Sequence, residues 1–190
     1  MGREGDGASA LSSTYYTAWG NAFSRGWLVS GIWCAVWALS WSNFTEKKIG
    51  LERMTHGQLD VRGSILALWY MYRKAEICLR KALEKKDISI DSRALILCKL
   101  GEVQDRKILN RIRGEDGGIV FGEAVRIEGV KNTTRVRVLK ALGQHMLRKK
   151  RSRPLDYKMV AMRFLKEALE IAERDNLGDQ IVKIKALMRR

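Results

Sequence analysis

The sequence predicts an all-α chain: a single N-terminal transmembrane helix followed by about three helical hairpins stacked into one curved rod. Three observations carry this. First, charge is split at residue 45: Lys and Arg number 36 against 21 Asp and Glu, a net +15, yet residues 1–45 hold only Arg3, Glu4, Asp6 and Arg25. Second, a small–large–Ala triplet recurs along the body. Third, apolar residues in the body return every three or four positions, the spacing of a helix with one buried face. The chain therefore divides into a polar tail, 1–25, a Trp-rich helix, 26–45, and a repeat domain, 46–190.

The N-terminal helix comes first. Residues 26–45, GWLVSGIWCAVWALSWSNFT, contain no Asp, Glu, Lys or Arg, and about 20 such residues in helix cross a bilayer core. Trp27 and Trp41 suit the headgroup level at either end of a span, whereas Trp33 and Trp37 suit contact with a neighbouring protein helix. Lys47, Lys48 and Arg53 outnumber Arg25 on the other flank, so the basic body is expected on the cytoplasmic or matrix side. Ser30, Gly31, Ser40, Ser42 and Asn43 dilute the segment, leaving two alternatives: a helix buried against the body or a partner, and a cleavable leader ending near Ala38-Leu39-Ser40.

The body repeats itself. Ala75, Leu79 and Ala82 form one triplet, Gly117, Phe121 and Ala124 a second, Ala161, Leu165 and Ala168 a third, and the Ala positions are 42 and 44 residues apart. Upstream of each stands a glycine, Gly57, Gly101 and Gly143. Small residues allow two helix backbones to approach closely while the large one fills the space beside them. Residues 65–86 keep helical spacing throughout, and 156–178 repeat that arrangement, with Gly178 as the C-cap. Asp91 or Ser92 is expected to cap the helix through residue 101, and Thr133 or Thr134 the next. The final stretch reads as a terminal helix covering the last hairpin with Ile181, Ile184, Ala186 and Leu187. The five glycines between 114 and 129 leave two readings there, a helix or a short extended hairpin, with helix preferred.

These triplets and the Leu-Gly pairs at Gly101 and Gly143 resemble the small-residue positions of tetratricopeptide repeats, in a longer variant. The resemblance covers residues 44–190 and implies a right-handed α-α superhelix with a concave face that holds a partner segment. At the places where that family clamps a C-terminal carboxylate this chain has Met54 and Gln58, Cys98 and Glu102, Lys140 and Gln144. Only Lys140 matches, so that ligand is not expected.

Catalytic patterns are missing from the chain: it has no HExxH, no G-x-S-x-G, no phosphate-cradling glycine loop and no zinc spacing among Cys34, Cys78 and Cys98. His56 and His145 each lie beside a repeat glycine and read as packing residues. The sequence thus points to a non-catalytic protein without cofactor or metal: a membrane-anchored protein-binding scaffold or accessory subunit of a membrane complex. Its basic body suits other proteins, anionic lipid or RNA, and the alternative is a ribosome-associated subunit of a ribonucleoprotein. The candidate anion-binding residues are Lys140 and the run Arg148, Lys149, Lys150, Arg151 and Arg153.

Overall fold

A computed structural model describes residues 50–109, 116–149 and 154–189, together with Ser40. Among the described residues there are seven α-helices and no strand. No helix among them is long and apolar enough to cross a membrane. The anchor residues Trp27, Trp33, Trp37 and Trp41 lie outside the described residues, as do Lys150, Arg151 and Arg153. The described residues fall into two compact units, divided between Asp87 and Ile88.

In the first unit a short turn, Leu51–Arg53, precedes α1, His56–Leu68, and α2, Tyr72–Leu83. Thr55 and Gln58 start α1 with reciprocal bonds: the Thr55 side chain accepts from the Gln58 amide, and the Gln58 side chain accepts from the Thr55 amide. The helical spacing over residues 65–86 does not give one helix. The chain reverses at Trp69–Met71, where the Met71 amide bonds the Leu66 carbonyl at 2.9 Å and the Tyr70 amide bonds that of Ala67 at 3.3 Å. This paired closure needs a left-handed residue, and Tyr70 takes it at φ 61°. Glycine and proline, the usual markers of a break, are both absent at this turn.

The second unit holds α3, Ile90–Leu109; α4, Gly117–Arg126; α5, Asn132–Lys149; α6, Pro154–Arg174; and α7, Gly178–Met188. The run 114–129 accordingly contains a helix, started by the Asp116 side chain, which accepts from the Gly118 amide at 2.9 Å. The expected caps are shifted. Ser89, not Asp91 or Ser92, receives the Ser92 amide, and Asp91 instead binds the Lys131 amide just ahead of α5. Thr134 is buried inside α5. Gly178 opens α7 and does not close α6; the left-handed residue ending α6 is Asn176, φ 54°. Ile184 is fully buried on Val136, Leu139, Leu165, Ala168 and Ala172, with Ile181 and Leu187 beside it. Ala186, expected in that contact, faces out.

One contact recurs in all three hairpins. A Cβ placed on Gly63 of α1 would come within 2.8 Å of Leu79 on α2; on Gly101 of α3, within 2.9 Å of the Phe121 ring on α4; on Gly143 of α5, within 2.8 Å of Leu165 on α6. The triplet residues Ala75, Leu79, Ala82, Phe121, Ala124, Ala161, Leu165 and Ala168 are all buried. Gly57 does not belong to this set: nothing lies within 4 Å of where its Cβ would stand. Because the reversal falls at Tyr70, the glycine that faces Leu79 is Gly63, seven residues before that turn residue, with Leu79 nine residues after it.

Candidate partner-binding face

The first helices of the last two hairpins, α3 and α5, lie against each other, and α7 lies against α5. Spacing of three and four places Lys99, Glu102 and Arg106 along one face of α3, and Arg137, Lys140, Gln144 and Arg148 along one face of α5. Around Glu102 the electrostatic neighbours are Arg106, Arg148, Lys99 and Lys140; around Lys140 they include Lys183 of α7 and Arg137. Four cationic side chains thus neighbour the Glu102 carboxylate, and two more, Lys183 and Arg137, neighbour Lys140.

Burial, the dominant influence, lifts the Glu102 carboxyl above the ordinary carboxylate range against the pull of those cations. Burial also lowers Lys140 below the ordinary lysine value, and the like charges of Lys183 and Arg137 lower it further. Its ammonium donates to Gln180 Oε1 at 2.7 Å, which holds the α5 and α7 rims of the face together. Cys98 forms part of the floor. Burial first, then Glu102, pushes its thiol up to about 12, so it stays protonated and poorly nucleophilic at neutral pH.

Of the predicted basic run, Arg148 and Lys149 are among the described residues. Arg148 reaches Asp105 at 3.3 Å and borders the face. Lys149 turns away and pairs with Asp116. Of the predicted set, Lys140 and Arg148 both neighbour Glu102, while Lys99, Arg106, Arg137 and Lys183 were missed. Their signal is present in the sequence: cations at helical spacing on the first helix of successive hairpins, diluted among many other lysines and arginines.

Behind the face, a buried polar network fastens α4 to α3 and α5. His145, 2% exposed, sets Nδ1 at 2.7 and 2.8 Å from the two oxygens of Asp105. Its Nε2 has no hydrogen-bond partner and lies 3.6 Å from Asp116 Oδ1. A Cβ on Gly118 would sit 2.9 Å from that nitrogen, so the start of α4 covers the ring, and the Phe121 ring stands 5.4 Å away. An imidazole closed in this way braces helices, as the packing reading of His145 expects. His56 is a different case, a half-exposed side chain 3.4 Å from Asp87. Among the described residues no group of His, Cys, Asp and Glu could hold a metal ion. No known family model matches the chain, and no curated protein matches it.

Proposed function

We propose that the chain is a non-catalytic, tetratricopeptide-like scaffold, tethered to a membrane through residues 26–45, that grips an acidic segment of a partner protein across α3, α5 and α7. The carrying observation is the excess of positive charge around Lys140, Arg137 and Lys183, where a half-buried ammonium stands among like charges. An incoming carboxylate would relieve that repulsion. Helices packed at about 8–10 Å would let roughly six extended residues cross all three.

The ribonucleoprotein reading draws on the same charge. It lacks its usual second ingredient: α3, α5 and α7 carry no Phe, Tyr or Trp on which a base could stack. Fluorescence anisotropy with a Glu-rich peptide separates the two. We expect binding that weakens as salt rises and falls at least ~10-fold in Arg137→Glu/Lys183→Glu. Equal affinity of the variant, or a preference for single-stranded RNA of matched charge, refutes the acidic-segment reading.

The tether rests on composition alone and is checked separately. Membranes washed in alkaline carbonate should retain the chain; complete release into the supernatant removes the tether and leaves the binding face untouched.

A further inference from the structure

The α1–α2 reversal carries three features that are each unfavourable for an isolated protein. Its tip exposes large apolar side chains: Leu68 at 42%, Trp69 at 43% and Tyr70 at 74%, with Ile77 at 50% on the adjoining face of α2. Tyr70 occupies a left-handed backbone conformation, φ 61°, that side chains beyond glycine and asparagine adopt at a cost. Finally, α2 has no acidic residue in its first turn and begins with exposed Arg73 and Lys74 instead, cations at the end of a helix that favours anions.

The chain itself shows that this turn does not require an aromatic. The same paired closure ends α6, where the Leu177 amide bonds the Ala172 carbonyl at 2.8 Å and the Asn176 amide that of Glu173 at 3.2 Å. There the left-handed residue is a polar asparagine. At the α1–α2 tip the position holds a tyrosine, its ring edge-on to buried Tyr72 at 5.9 Å and 72°, which fixes the direction in which it projects. From Val61 to Ala75 the sequence has no Asp or Glu.

We propose that Leu68, Trp69 and Tyr70, with Arg73 and Lys74, form a docking site for an anionic lipid surface. Trp and Tyr partition to the headgroup level of a bilayer, where the ring is desolvated and its polar atom stays wet. Arg73 and Lys74, at the base of the tip, would meet lipid phosphates and supply the negative charge that the start of α2 lacks. This contact uses none of the residues of the partner face and does not depend on residues 26–45 spanning anything.

The test uses the full chain with Trp69 as its sole tryptophan, Trp19, Trp27, Trp33, Trp37 and Trp41 being changed to Phe. On vesicles of phosphatidylglycerol and phosphatidylcholine with brominated acyl chains, the Trp69 emission should move to the blue and be quenched. Arg73→Glu/Lys74→Glu, or pure phosphatidylcholine, should reduce that quenching about 10-fold at equal lipid. A chain that sediments with the vesicles while Trp69 emits as in water overturns the docking site and leaves the tether standing. Quenching indifferent to lipid charge and to the charge reversal also overturns it.

Discussion

Gly117→Ala should lower the unfolding midpoint of the 88–190 unit by roughly 10 °C, about 2 kcal/mol for a unit of this size. The added methyl would fall 2.5 Å from Asp105 Oδ1 and 2.7 Å from the Gly101 carbonyl oxygen. Neither neighbour can yield easily. The carbonyl belongs to the backbone of α3, and Asp105, 7% exposed, is held by His145. Overpacking of this kind costs about 1–3 kcal/mol, more when no rotamer can absorb it, and alanine's better helix propensity returns at most about 1 kcal/mol. Gly122, in the same helix, supplies the opposite sign: nothing lies within 4 Å of its Cβ position, so Gly122→Ala should stabilise by about 0.5–1 kcal/mol. Thermal or urea unfolding followed by circular dichroism checks both. If the two substitutions shift stability in the same direction, the close approach of α3 and α4 is wrong.

Asp105→Ala is expected to cost about 3 kcal/mol. The carboxylate is bound by His145 Nδ1 at 2.7 and 2.8 Å and by Arg148 at 3.3 Å. Its removal forfeits a charge-assisted hydrogen bond and leaves a buried imidazole nitrogen with no partner, and each loss is worth about 1–3 kcal/mol. Replacing both groups by apolar residues should be far milder than the sum of the single changes, since neither polar atom is then stranded. A double-mutant cycle on Asp105 and His145, read by urea unfolding, should give a coupling above about 2 kcal/mol. Coupling near zero would mean that the two side chains do not meet.

Much of the hairpin layout was legible in the sequence because its determinants are local. Small residues at fixed spacing beside a large one constrain where two helix backbones can touch, and Leu79, Phe121 and Leu165 each meet a glycine of the preceding helix. The misassigned glycine has one cause. The Tyr70 reversal has no glycine or proline to announce it, so the periodicity ran straight through it and the register upstream slipped from Gly63 to Gly57. The caps failed for a related reason: Asp91 carries the right side chain for a cap but is taken by the Lys131 amide from a distant part of the chain. The basic face was hardest to read. Its cations lie on three helices, and composition shows an excess of charge without showing which members of it converge, whereas the crowded run around Arg148 and Lys149 turned out to be partly neutralised by Asp105 and Asp116.

The glycine contact that defines each hairpin joins residues close in the chain: 63 with 79, 101 with 121, 143 with 165. Loop closure over such short spans is fast and entropically cheap. Each pair of helices can therefore zip shut soon after it leaves the ribosome, without waiting for the C-terminus, and only α7 must be synthesised before Ile184 can seal the end of the stack.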